Sequence, residues 1–379
     1  MDFTFTEEQQ MLLETTRRFI ARDYTFETRR KRLATSGQPA DRKIWQGLAD
    51  LGLTALNVPE QHGGLGGSAI DTMLVMTALG EGLVLEPYLS SAVLSTRALA
   101  LLGSGPQQEN MLPALAAGDM VAVFAHDEPG ARFDWKAIET SAREDGDSYV
   151  LTGRKSVIAY APNADVLLVT ARIEGPDQPG AMAVFAVPRN TAGLRVTPFP
   201  MVDGALAGEV VLDEVTLPAQ ALLGESAEDA ESRIADVLDA GLAAICAEAV
   251  GALDKLLAAT VEYARTRKQF GVPIGKFQAL QHRMADMVLH IEQARSMSYL
   301  AAVRCTDADR QRRQHDLSAA KVVIGQACRF VGQQAVQLHG GMGVTDELDV
   351  SHYFKRLMAI EMQFGSTDTH LEQVAASLG

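Results

Sequence analysis

Residues 263–281 read YARTRKQFGVPIGKFQALQ, and the rest of the chain is best read outward from them. Helical periodicity runs into this stretch, breaks at Phe270-Gly-Val-Pro-Ile-Gly275, and resumes at once. Two helices therefore meet at a corner of glycine and proline, with Arg265, Arg267 and Lys268 closing the first and Gln278 and Gln281 opening the second. Such a corner offers fixed positive charge, amide donors and the N-terminal end of a helix, a set that suits a pyrophosphate. On its own the same pattern also fits a plain helix hairpin with snorkelling basic side chains.

Downstream, residues 337–343 read QLHGGMG. Glycines at this density after a long helix permit close backbone approach to a ligand, and Gln337 can both donate and accept hydrogen bonds at an adenine edge or a ribose. A helix C-cap and turn would give the same letters. Around these two stretches, residues 227–362 keep a helical period with hardly a proline, and the corner at 270–275 is the one marked stop expected.

Residues 119–225 have a different texture. VAVFAH, SYVLTG, DVLLVTA, AMAVFAV, LRVTPF and EVVLDEV are short β-branched and aromatic runs bounded by glycine, proline and aspartate, at intervals that suit a small antiparallel barrel or sandwich. Before them, residues 6–117 are helical again, opening on Thr6-Glu7-Glu8-Gln9, a spacing suited to a capping box. The expected class is α+β and multi-domain: an N-terminal helical domain (1–118), a middle β domain (119–225) and a C-terminal four-helix bundle (226–379).

The chain has 379 residues, 47% hydrophobic and 22% charged, which reads as globular and large enough for several domains. A formal charge of -14 argues against non-specific binding of nucleic acid. The basic run Arg29-Arg30-Lys31-Arg32 is expected to be a solvated helix face. Cys246, Cys305 and Cys328 stand far apart, which suggests neither a zinc site nor a disulfide framework but reduced thiols packed in helices. With no signal-like start and no long apolar run, the expected location is cytoplasmic, without membrane insertion.

In this order and spacing, YARTRKQFGVPIGKFQ and QLHGGMG resemble the acyl-CoA dehydrogenase family of flavoproteins. So do VPEQHGGLGG (58–67), DEVTLPAQALLG (213–224) and FQALQHRMADM (277–287), so the resemblance spans the chain. It implies the family's helical–β–helical fold, FAD as cofactor, an acyl-CoA thioester as substrate and an electron-transferring flavoprotein as acceptor. It also implies that Arg267, Phe270, Gln278, Gln337, Gly340 and Gly341 hold the ADP half of an FAD whose ring lies mostly on a neighbouring subunit, with Thr367 facing the flavin.

Other parts of the family's pattern are altered. Where the family commonly has Thr-Glu-Pro-x-Ala-Gly-Ser-Asp, the chain reads Asp127-Glu-Pro-Gly-Ala-Arg132-Phe133-Asp134. Where it has Gly-x-Lys-x-Trp-Ile-Thr, the chain reads Gly153-Arg-Lys155-Ser-Val157-Ile-Ala159. The family's base, a glutamate in a Tyr-Glu-Gly-Thr turn, is matched by Phe364-Gly365-Ser366-Thr367. The alternative base position, 29 residues before Phe270, is Gly241, and Asp239 beside it is off the helix face by roughly 200°. No catalytic residue is therefore assigned.

The expected activity is α,β-desaturation of an acyl-CoA. The chain resembles in particular the small subunit of pimeloyl-CoA dehydrogenase and related two-subunit bacterial enzymes, which implies a homo- or hetero-tetramer, with a catalytic paralogue in the second case. A flavin monooxygenase on the same scaffold and a structural or regulatory subunit without flavin are the alternatives. His126, near the altered loop, is expected to be a core or surface histidine rather than a ligand contact.

Overall fold

The computed structural model describes residues 4–34, 41–174 and 180–377. In chain order the helices before the sheet are α1 (Glu7–Asp23), α2 (Phe26–Ala34), α3 (Arg42–Asp50), α4 (Ala69–Glu81), α5 (Thr96–Leu102) and α6 (Gly105–Ala116). The strands are β1 (Ala122–Ala125), β2 (Ser141–Asp145), β3 (Ser148–Ala159), β4 (Val166–Glu174), β5 (Met182–Pro188), β6 (Leu194–Pro200) and β7 (Leu206–Pro218). They are followed by α7 (Ala230–Thr266), the two-residue strands β8 (Lys268–Gln269) and β9 (Val272–Pro273), then α8 (Gln278–Arg304), α9 (Arg310–His339), α10 (Asp349–Met362) and α11 (Thr367–Ser377).

Two compact units divide the chain. One comprises Met1–Lys31, Ala69–Val84 and Leu242–Gly379. It opens with the expected capping box, in which the Thr6 hydroxyl accepts from the Gln9 amide while the Gln9 side chain accepts from the Thr6 amide, both at 3.2 Å. Its helices meet very closely where α4 crosses α7. A Cβ on Gly80 would lie 2.1 Å from the Glu248 carbonyl oxygen, and one on Gly251 only 1.9 Å from that of Thr77. Two glycines thus let the backbones touch, and Tyr353 on α10 ties in by donating to the Glu81 carbonyl.

A buried ion pair crosses the same unit, Arg356 Nε and Nη2 reaching the two Glu248 oxygens at 2.6 and 2.7 Å. Arg29 corrects the expectation of a solvated basic face. It is 1% exposed, donating to the Leu83 carbonyl at 3.0 Å and to His352 Nδ1 at 2.7 Å. The helical run also has a stop beyond the expected corner. Residues 305–309 separate α8 from α9, and Asp309 caps α9 by accepting from the Arg312 amide.

The other unit, Arg32–Ser68 and Leu85–Gly241, contains the sheet. All six expected runs are strands, and with β2, which lies outside those runs, they form a seven-stranded sheet in the order β1-β4-β2-β3-β7-β6 with β5 also on β4. The sheet is mixed rather than purely antiparallel, because β1 and β2 both run parallel to β4. Leu151, Leu167, Val169, Phe185, Val210 and Leu212 form its apolar core. Arg32, the last of the basic run, pairs with the buried Glu86 at 2.6 Å. All three cysteines are free and buried. Among the described residues no helix is long and apolar enough to cross a membrane.

Candidate functional site

The corner at 263–281 is a β-hairpin set between two helices. Lys268 pairs with Pro273 and Gln269 with Val272, and the two-residue turn consists of Phe270 at φ 52° and Gly271 at φ 80°. A left-handed backbone suits glycine but strains an aromatic residue. Phe270 is nevertheless 92% exposed, its ring in a T-shaped contact with that of Phe277 at 6.2 Å. A strained, outward-facing aromatic side chain is a feature that folding alone does not explain.

Tyr263, one turn before the hairpin, stacks on His339 at 4.3 Å and so brings the corner beside the end of α9. There Gly340, at φ 59°, turns the chain, and a Cβ built on Gly340 or Gly341 would meet nothing within 4 Å. Arg283 joins α8 to α9 by donating to the Gln334 side chain at 2.8 Å. Arg267, Phe270, Gln278, Gln337, Gly340 and Gly341 are all exposed. Among the described residues no carboxylate pairs with Arg267. An unpaired guanidinium, an aromatic face, two amides and an open glycine turn can together hold a diphosphate and a nucleobase.

The turn at 363–366 lies at the far end of the same helical group. Phe364 has φ 58° and Gly365 φ 107°. Beneath it Lys321, fully buried, donates to the carbonyls of Ile360, Glu361 and Gly365 at 3.0, 2.8 and 2.8 Å. Burial lowers its pKa from the ordinary lysine value, while Cys246, Cys328 and Glu361 oppose that shift. The sequence signal for Lys321 was a charged residue on an apolar helix stripe, between Leu317 and Ile324.

No acid stands in this turn, and Glu361 and Glu248 are both engaged with other partners. Glu361 accepts from the Thr367 amide at 3.1 Å and from Arg329 at 2.8 Å. Burial would raise its pKa, but these donors outweigh burial and hold the carboxyl below its usual range. Glu248 is the partner of Arg356. Thr367 itself is 5% exposed, and a Cβ on Gly325 would lie 2.3 Å from its hydroxyl, so α9 admits that side chain only by carrying glycine there.

In the sheet unit, the altered loop is pinned by a buried cluster. Lys155 donates to Glu128 at 2.6 Å, to Thr170 at 2.9 Å and to the His126 carbonyl at 3.2 Å. Glu128 also accepts from the amides of Glu139 and Thr140 and from the Thr140 hydroxyl. Burial lowers the Lys155 pKa to about 8 against the pull of Glu128. His126 is buried, with its ring stacked on Phe124.

Above this cluster the backbone is strained. Arg132 and Phe133 have φ 48° and 69°, and Val157 has φ 56° while 52% exposed. A β-branched residue in the left-handed region is an outlier, and here it sits where the β3–β7 register shifts between Lys155 and Ile158. The Ser156 amide donates to the Asp127 carbonyl at 2.8 Å, so the two altered segments lie side by side.

Comparison with known proteins agrees with this architecture. The acyl-CoA dehydrogenase N-terminal, middle and C-terminal domain families match residues 6–119, 123–215 and 232–379. A probable acyl-CoA dehydrogenase of Bacillus subtilis, YngJ, is 31% identical, covering 100% of both chains. Among solved structures, the ChsE4-ChsE5 complex from Mycobacterium tuberculosis has a chain of 29% identity and TM-score 0.88, covering 100% of this chain and 99% of that one. The butyryl-CoA dehydrogenase of Megasphaera elsdenii superposes with TM-score 0.88 at 26% identity, covering 100% of each chain. The chain belongs to the acyl-CoA dehydrogenase family, oxidoreductases that act on CH–CH groups with FAD as cofactor.

Proposed function

We propose that this chain acts in the α,β-desaturation of an acyl-CoA thioester as the subunit without the base. In this reading it lends the ADP-binding edge of an FAD site to a partner subunit that holds the flavin ring and the proton acceptor. The observation that carries the reading is Gly365, a glycine at φ 107° where the family's glutamate would stand, with Glu361 and Glu248 both engaged elsewhere.

Arg267 is assigned to the diphosphate, Phe270 and Gln337 to the adenosine, and Gln278, Gly340 and Gly341 to the backbone-side contacts. Their common exposure supports this, since a group arriving from outside the unit needs them unpaired. When bound, FAD would supply the acceptor for a hydride from the β-carbon, and the α-proton would pass to a carboxylate of the partner. The turn at Gly365 has no side chain to take that proton, but its backbone amide remains a donor for a thioester oxygen. Val157 and Ala159 lack an aromatic wall and a hydroxyl, which supports assigning the flavin ring of the working site to the partner. The partner is a catalytic paralogue in a mixed tetramer, and the acceptor an electron-transferring flavoprotein.

Arg267→Ala in the assembled complex is expected to weaken FAD retention about tenfold, the loss of one charge-assisted hydrogen bond. Equilibrium dialysis of the complex, followed by its flavin absorbance, measures this. Retention equal to that of the parent complex would contradict the assignment.

A further inference from the structure

A carboxylate missing from a turn leaves either a hole or a replacement, and here the space is filled. A Cβ built on Gly365 would lie 2.9 Å from Nε2 of His370, 3.2 Å from its Cδ2 and 3.7 Å from its Cε1. The first of these distances is closer than side chains tolerate, so the imidazole occupies the volume where any side chain at 365 would begin. We infer that His370 is the positioning residue of the Phe364–Ser366 turn, closing the base position and holding the backbone in a form that only glycine fits at 365.

The ring is not free to swing aside. His370 is 4% exposed, with Nε2 2.9 Å from the Phe364 carbonyl and Nδ1 3.1 Å from the Ser318 hydroxyl. A carbonyl can only accept, so Nε2 carries the ring's hydrogen and donates it to Phe364. The Ser318 hydroxyl beside Nδ1 is itself fixed, donating its hydrogen to Oε1 of Gln373 at 2.8 Å. From the other side Lys321 holds the Gly365 carbonyl at 2.8 Å. The carbonyls of Phe364 and Gly365 are thus held by buried donors, at φ 58° and 107°, the second a conformation that side-chain-bearing residues rarely adopt.

His370 does not replace the lost base. Its Nε2 proton is committed to Phe364, its Nδ1 is closed in by the Ser318 side chain, and the ring is buried. Its role is to make the absence of a carboxylate structural, so that restoring glutamate at 365 alone is not enough. Only this last consequence rests on the reading that residue 365 stands at the base position.

The test is a double-mutant cycle in the full chain. Gly365→Ala is made in the parent and in His370→Val, and thermal unfolding is measured for all four proteins. The fall in Tm caused by Gly365→Ala is expected to be at least twice as large with His370 present as with valine. His370→Gln, which keeps a donor for Phe364, is expected to preserve the larger fall. Gly340→Ala serves as a control, since its Cβ meets nothing, and is expected to show no coupling to residue 370. Equal falls in both backgrounds would overturn the assignment.

A second readout needs a base but no electron transfer: exchange of acyl-CoA α-protons with deuterium oxide, by mass spectrometry. Gly365→Glu alone is expected to give exchange no faster than the parent, and Gly365→Glu with His370→Val at least tenfold faster. Rapid exchange from Gly365→Glu alone would also overturn the proposal. Coupling in the cycle with no exchange in the double variant would uphold the role of His370 and overturn the placement of residue 365 at the base position.

Discussion

At the scale of single residues, the altered turn is held by groups that are not acids. Lys321 provides three hydrogen bonds to carbonyls that have no access to water. Removing the ammonium leaves all three short of a donor, so Lys321→Met is expected to destabilise the fold by about 3 kcal/mol. Chemical denaturation of the purified variant measures it. The neighbouring His370 adds a pH dependence. Burial lowers its pKa from 6.5 to about 4. The unfolded chain therefore takes up a proton below pH 6.5 that the folded chain refuses until about pH 4. Stability from this residue is complete above 6.5 and declines as the pH falls through that window, by about 3 kcal/mol at most. Buried His126, lowered to about 3, acts in the same direction. Tm measured across the window is expected to fall less steeply for His370→Gln. An unchanged slope would show that the buried imidazole does not titrate as its surroundings require.

At the scale of elements, the close crossing of α4 and α7 is a sharp commitment. A methyl group at Gly80 or Gly251 would meet a backbone carbonyl, which cannot rotate away. Either alanine substitution is expected to cost about 3 kcal/mol, read as a lowered Tm. Calorimetry on both single variants checks this, and a Tm equal to the parent's would mean that the helices separate freely. Several elements were legible in the sequence because their patterns are strong: the capping box at Thr6, the six apolar strands, and the hairpin corner after α7. β2 was not, because its sequence is SARED and only Ala142 faces the core. Its backbone is recruited by β3 and β4 on either side rather than by its own side chains. The stop at 305–309 was hidden for a related reason. TDAD carries a helix cap but neither glycine nor proline, and the apolar period continues on both sides. The parallel pairing of β1 and β2 with β4 is a matter of connection, to which residue alternation is blind. Arg29 shows the limit of charge patterning, since a guanidinium reads as surface until a carbonyl and an imidazole close around it.

At the scale of the whole molecule, two regions of the chain have been treated differently. The six residues proposed to form the ADP-side edge are exposed and keep the letters on which the sequence resemblance rests, whereas the turn at Gly365 and the segments at Arg132–Phe133 and Val157–Ala159 depart from that pattern. In the sequence the departures were visible as substitutions at motif positions. Their physical cost was not, because the strain at Val157 lies in its backbone angle, and the imidazole under Gly365 is held there against Ser318, far away in the chain. A chain in which both half-sites had decayed together would support a structural role, and one with both intact a complete enzyme. The proposed sharing of work between unlike subunits predicts such a division. The most direct measurement is anaerobic addition of acyl-CoA to the purified chain, alone and assembled with a family paralogue that carries the glutamate, while the visible flavin band is followed. Loss of the band in the mixed assembly, with none in the chain alone, is the expected result. Bleaching by the chain alone would contradict the account.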